Sequence, residues 1–203
     1  MGKGANDFKK MILPIIAYGD PVLRKKGKEI TSEYPNLKEL IQNMWDTMYE
    51  AYGVGLAAPQ VGLPIRLFIV DPTPFSDDEE LSPTEAEQLR NLKKVFINAK
   101  IISEEGEEWA FNEGCLSIPD VREDVFRKPK ITIEYQDEDF NHHREEYEGL
   151  AARVIQHEYD HIEGILFTDK LSSLKKRLIK GKLGNISKGK IQSEYKMKFP
   201  MMK

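Results

Sequence analysis

The chain has 203 residues, a formal net charge of −4, 40% hydrophobic residues and a single cysteine. This length predicts one domain, residues 1–203, and one cysteine excludes an intramolecular disulfide. No apolar run reaches the ~20 residues of a membrane span, and the N-terminus lacks the apolar core of a signal peptide. We therefore expect a cytoplasmic protein with no membrane or DNA partner.

The predicted elements begin with a flexible leader, residues 1–10, followed by an amphipathic helix. The helix is indicated by apolar residues that recur with a 3.6-residue period, namely Leu37, Leu40, Ile41, Met44 and Met48. Gly53 is expected to end it. Residues 72–92 contain an acidic stretch and are predicted to be a surface insertion; a solvated loop is the ordinary interpretation, and a binding element is the alternative.

Short strands are predicted between the helical segments, where β-branched and apolar residues concentrate. They cover residues 66–71, 95–103 and 131–135, and 143–147 is a weaker candidate. A helix over 149–163 follows them. No regular alternation of strands and helices appears, so we predict an α+β fold in which antiparallel or mixed strands pack around this central helix.

The central helix carries an H-E-x-x-H motif, His157 to His161. Residues four apart lie on one face of a helix, so both imidazoles can bind one metal ion. Glu158 lies close enough to move protons on a water molecule beside that ion. The pattern therefore predicts a metal-dependent hydrolase, with two surface histidines on a polar helix as the alternative.

The two histidines continue the apolar stripe of Leu150 and Val154 along the same helix. These two residues are expected to form the wall of an apolar pocket that favours an unbranched side chain. Arg153 lies one position off the stripe, so we expect its aliphatic stem along the pocket rim and its charged head in solvent.

The third ligand decides the class of enzyme. No histidine follows His161, and Glu194 in the lysine-rich tail is a poor candidate. Cys115 is the only cysteine, with buried filler, free thiol and metal thiolate as its options. The glycine beside it and the two available imidazoles favour the thiolate.

Three separated motifs together resemble the peptide deformylase family. They are Gly53-Val54-Gly55-Leu56-Ala57-Ala58-Pro59-Gln60, Glu113-Gly114-Cys115-Leu116-Ser117 and Gln156-His157-Glu158-Tyr159-Asp160-His161. The resemblance extends over residues 12–171 and implies removal of the formyl group from the N-terminal formyl-methionine of new proteins. A zincin-type metallopeptidase is the alternative function, and a metal-binding but inactive relative is a third.

The resemblance implies a role for each matching residue. Cys115, His157 and His161 would be the metal ligands and Glu158 the proton carrier, while the Gln60 amide and the Leu116 backbone N–H would stabilise the oxyanion. Backbone at Val54 and Gly55 would pair with the substrate peptide. Glu113 and Gly114 of the second motif are assigned to the substrate-binding region, and Glu113 is expected to form an ion pair with Arg127.

The resemblance also implies iron(II) as the cofactor, although the same ligands suit zinc, nickel or cobalt. The partner would be a nascent formyl-Met polypeptide, and we expect a monomer. Residues 170–203 are predicted to form a basic helix and tail, since 170–190 hold eight Lys or Arg and no acidic residue. A solvated terminal helix is one interpretation, and contact with ribosomal RNA is the other.

Overall fold

The computed structural model describes residues 11–200, which form helices and strands around three buried clusters. The predicted leader therefore lies outside the described residues. The helices are α1 (Leu37–Glu50), α2 (Pro83–Asn91), α3 (Gly149–Ile162) and α4 (Ser173–Ser187). The strands are β1 (Ile15–Ile16), β2 (Gly55–Ala57), β3 (Leu67–Val70), β4 (Lys94–Glu105), β5 (Trp109–Cys115), β6 (Ile118–Arg127), β7 (Lys130–Gln136), β8 (His142–Glu148) and β9 (Met197–Lys198).

The main sheet has five antiparallel strands in the order β2-β3-β4-β7-β8. Its centre is buried on both faces, which explains why β3 is a continuous apolar run instead of an alternating one. Phe68 and Val70 point to the cluster that contains α3, whereas Leu67 and Ile69 point to the cluster that contains α1. The predicted α+β fold with one central helix is confirmed.

Helix α3 begins at Gly149, whose φ of +57° turns the chain out of β8 directly into the helix. Ten of its 14 residues are buried, because the sheet covers one side and the β5–β6 hairpin region the other. The predicted helix over 149–163 is confirmed. This burial holds the H-E-x-x-H motif inside the protein.

The β5–β6 hairpin forms a separate two-stranded sheet, which the sequence did not predict. Its strands contain many polar residues, so their composition resembles a loop. Glu113 is opposite Glu123, and the register shifts after Gly114 so that Cys115 pairs with Ile118. The shift leaves Leu116 and Ser117 as a tight turn at the end of the hairpin.

The end of α1 and the segment 72–92 differ from the sequence-based expectations. Helix α1 ends before Gly53: the left-handed residue is Tyr52, and the Tyr52 and Gly53 amides donate to Tyr49 and Met48 carbonyls as in a Schellman motif. Residues 72–92 are more than a solvated loop, because they contain α2. Ser82 caps this helix, and Leu89 packs into the central core with 2% of its surface exposed.

The two ends of the described chain meet. Strands β1 and β9 pair in parallel, with Ile15 opposite Met197. The basic segment begins as α4, as predicted, and the chain then returns to the main body. Within residues 11–200, no helix is both long and apolar enough to cross a membrane.

Candidate active site

The structure brings Cys115, His157 and His161 together, although Cys115 is more than 40 residues away along the chain. Their potential ligand atoms all lie within 4.8 Å of one another, and Cys115 Sγ is 3.3 Å from His161 Nε2. One thiolate and two imidazoles form a set of three protein donors, which leaves a coordination position for water or substrate. These residues therefore fit a catalytic transition-metal ion.

His157 is oriented by Glu113. The carboxylate Oε2 of Glu113 lies 3.0 Å from His157 Nδ1, which leaves the other ring nitrogen available to a metal. Burial opposes the charge on Glu113, but hydrogen bonds from His157 and Arg127 hold the pKa of this carboxyl well below its usual range. Glu113 therefore remains an acceptor.

The predicted ion pair between Glu113 and Arg127 is confirmed. Arg127 Nε and Nη2 donate to the two Glu113 oxygens at 2.7 and 2.9 Å, and its Nη1 donates to Asp160 at 2.6 Å. All three side chains are largely buried. Arg127 thus links the hairpin that carries Cys115 to the helix that carries both histidines. Sequence reasoning missed Asp160, although it lies within the third motif.

The predicted solvent-exposed head of Arg153 is wrong. Arg153 is 2% exposed, and its Nη1 donates to Glu113 Oε1 at 3.0 Å. Its Nη2 donates to the Trp109 carbonyl at 2.7 Å, and the guanidinium lies 4.4 Å from the Trp109 ring centroid. The cause is the buried Glu113 charge, which draws the arginine inward because a buried carboxylate needs charged donors.

Glu158 is 4% exposed, and its Oε2 has no hydrogen-bond partner among residues 11–200. Burial raises the pKa of Glu158 to about 7, so both its protonated and its charged form are accessible near neutral pH. Gly55 makes room for it, because a Cβ at Gly55 would lie 2.5 Å from Glu158 Oε1. The need for glycine at position 55 therefore comes from this carboxylate.

Gln60 lies in a short 3-10 turn, Ala58–Val61, that follows β2. Its Oε1 accepts from the Ala57 amide at 2.8 Å, and this contact fixes the orientation of the side chain. Its Nε2 donor therefore faces Cys115 Sγ at 3.5 Å and Ser117 Oγ at 3.3 Å. Sequence reasoning gave Ser117 no role, yet this buried hydroxyl helps to direct the Gln60 amide beside the cluster.

A cavity of about 540 Å³ opens beside these residues. Its lining includes Val54 and Gly55, Gly114 and Leu116, and Arg153 and Val154 from α3. Leu150 is not part of its lining; it packs against the central core instead, so the predicted pocket wall is wrong for this residue. Further lining residues that the sequence did not predict include Tyr52, Phe75, Phe111, Asp120 and Glu194.

A buried H-E-x-x-H helix, a donor set completed by cysteine and an adjoining cleft define a metal-dependent hydrolase. The family model described as Polypeptide deformylase matches residues 12–177. The chain belongs to this family, whose members remove the formyl group from the N-terminal methionine of nascent polypeptides.

Similar proteins agree with this assignment. A peptide deformylase of Christiangramia forsetii is 75% identical over 193 residues, which cover 95% of this chain and 98% of that protein. A Flavobacterium johnsoniae peptide deformylase is 70% identical with the same coverage. Among solved structures, a Thermus thermophilus peptide deformylase has a TM-score of 0.75 and 39% identity, covering 88% of this chain and 99% of that one.

Proposed function

We propose that Cys115, His157 and His161 hold one divalent metal ion at which formyl-methionine peptides are hydrolysed. The single observation that carries this proposal is the convergence of the three ligand atoms within 4.8 Å. A metal ion held there would lower the pKa of a water molecule and polarise the formyl carbonyl. The ligand set suits iron(II), which we propose as the native metal; zinc, nickel and cobalt suit it as well.

Glu158 moves the protons in the proposed reaction. Its carboxylate accepts a proton from the attacking water and afterwards returns it to the departing amine nitrogen. Burial, which raises the pKa of Glu158 above the usual carboxyl range, favours both tasks, since the group must gain and lose a proton in each cycle. Burial keeps bulk water away from the carboxylate during the transfer.

The formyl oxygen gains negative charge as water attacks. We assign its stabilisation to the Gln60 amide and the Leu116 backbone N–H, which are neutral donors beside the metal ligands. Gln60 is held rigidly by Ala57 and Ser117, so it need not reorganise during the reaction. Fixed donors of this kind lower the barrier because their orientation is set before the charge develops.

The substrate peptide would lie as an added strand along the backbone of Val54 and Gly55 and near Gly114, all of which line the cleft. Its methionine side chain would occupy the space beside Val154 and the stem of Arg153. Glu113 accepts hydrogen bonds from His157 and Arg153, so we propose that it contributes to substrate binding indirectly, by orienting these two residues.

The proposed substrate is a newly made protein that begins with formyl-methionine. We therefore propose that the enzyme acts on nascent chains in the cytoplasm. We also propose that the enzyme is a monomer. Helix α4 presents Leu174 and Leu178 to solvent among its lysines. The lysines of α4 support contact with the ribosome. Salt-sensitive co-sedimentation of the enzyme with ribosomes tests this contact.

The function is tested by anaerobic reconstitution with iron(II), followed by metal analysis and assay of formate release from a formyl-Met peptide. We expect one metal ion per chain and activity that disappears on metal removal. A zincin-type peptidase would instead cleave internal bonds of unformylated peptides. Cleavage of that kind without formate release would overturn the proposal.

The pocket predicts a preference for methionine. Formyl-Met peptides are expected to have a kcat/KM 10- to 200-fold above that of formyl-Ala peptides, corresponding to about 1–3 kcal/mol. Val154→Glu should remove most of this preference and leave metal content intact, because Val154 lines the cavity but does not bind the metal. Leu150→Val is the matched control and should keep the preference, since Leu150 lies outside the lining. Equal hydrolysis of both peptides by the unmodified enzyme would show that the pocket assignment is wrong.

A further inference from the structure

The turn between β5 and β6 carries the proposed Leu116 donor. Leu116 and Ser117 are the two central residues of this turn, because Cys115 pairs with Ile118. The carbonyl between two central residues of a β-turn has no partner within the turn. A partly buried carbonyl of this kind needs a hydrogen-bond donor from elsewhere in the protein.

Tyr195 supplies that contact from the far end of the chain. Its hydroxyl donates to the Leu116 carbonyl at 2.7 Å. The next carbonyl, that of Ser117, accepts from the Tyr18 amide at 2.8 Å. Tyr18 follows β1 and Tyr195 precedes β9, so the paired ends of the chain hold two successive carbonyls of the turn.

The Tyr195 hydroxyl is suited to act as a permanent donor. Burial raises the pKa of Tyr195 well above its usual value, so the hydroxyl keeps its proton. Its ring packs against the α1 cluster beside Leu116, and its neighbour Glu194 lines the substrate cavity. Both residues lie beyond residue 177, where the family model ends.

We propose that Tyr195 is a positioning residue of the active site, which fixes the Leu116 peptide and thereby aims the Leu116 N–H at the formyl oxygen. The N–H belongs to the adjoining peptide unit, one Cα away from the anchored carbonyl. This peptide unit joins Cys115 to Leu116. The strand pairing of Cys115 with Ile118 restrains it at Cys115, and the Tyr195 hydrogen bond restrains it at Leu116. The inference rests on the proposed role of Leu116 in deformylation.

The test is Tyr195→Phe, which removes one hydroxyl and keeps the ring contacts. We expect kcat for a formyl-Met peptide, divided by bound metal, to fall roughly 10-fold with KM nearly unchanged. This is less than the roughly 10²–10³-fold effect of losing an oxyanion donor outright, because the N–H remains but is less well aimed. Replacement of Tyr195 by 4-aminophenylalanine, which restores a donor on the same ring, should recover most of the loss.

Tyr147→Phe is the matched control, because the Tyr147 hydroxyl is hydrogen-bonded to Glu145 on the main sheet, away from the cavity. It should leave kcat per metal unchanged. A wild-type kcat per metal for Tyr195→Phe would overturn the proposal, as would a loss that 4-aminophenylalanine does not restore. Failure of the unmodified enzyme to release formate would instead overturn the proposed function, so the two failures are distinguishable.

Discussion

Glu158→Gln is expected to lower kcat for formyl-Met peptides by about 10²–10⁴-fold while the protein keeps its metal and its fold. The substitution preserves the size of the side chain in the space beside Gly55, where little room is available. It removes the group that accepts and returns the proton, whereas the three proposed ligands remain. Steady-state kinetics with metal analysis on the same samples measures both effects.

The matched comparison is Cys115→Ala, which should lose metal and activity together because a thiolate ligand is removed. Glu158→Gln and Cys115→Ala therefore separate proton transfer from metal binding. Wild-type turnover in Glu158→Gln would exclude Glu158 from the mechanism. Full metal content in Cys115→Ala would show that the cluster of Cys115, His157 and His161 is not the binding site.

Arg127→Met is expected to lower the free energy of unfolding by about 3–5 kcal/mol and to weaken metal binding about 10- to 100-fold. Arg127 donates to both Glu113 and Asp160 in the interior, so its removal leaves buried carboxylates without their main partner. Glu113 would then lose part of its orientation toward His157. Urea denaturation of the metal-free protein measures stability, and competition with a chelator measures metal affinity.

Lys170→Met provides the control because Lys170 contacts the same Asp160 from the partly exposed side, at 3.4 Å. A partly exposed ion pair of this kind contributes about 0–1 kcal/mol to the free energy of unfolding. Equal losses of stability in the two variants would contradict the proposal that Arg127 holds the hairpin and the helix together through buried charge.

The sequence by itself determined the helices and strands that have a clear local pattern of apolar residues. The 3.6-residue period predicted α1 and α3, and the apolar runs predicted β3, β4 and β7. The H-E-x-x-H spacing predicted that His157 and His161 share a face, because helix geometry alone imposes it. The lone Cys115 was predicted as the third ligand from the two available imidazoles, and motif resemblance added the Glu113–Arg127 ion pair; the fold brings both to α3.

Only the tertiary structure showed which residues that are distant along the chain contact one another. The segments that carry these residues have no clear local pattern of apolar residues. The polar strands β5 and β6 form a hairpin whose Glu113 is buried against Arg127 and Arg153, and local periodicity does not show that these side chains are buried. The head of Arg153 is drawn inward for the same reason, since a buried charge must find its counter-charges in space. Likewise, Tyr195 meets Leu116 across 79 residues because β1 and β9 pair at the two ends of the chain. The sequence by itself thus determined the chemistry of the site, whereas long-range pairing of buried charges and strands decided what holds that chemistry in place.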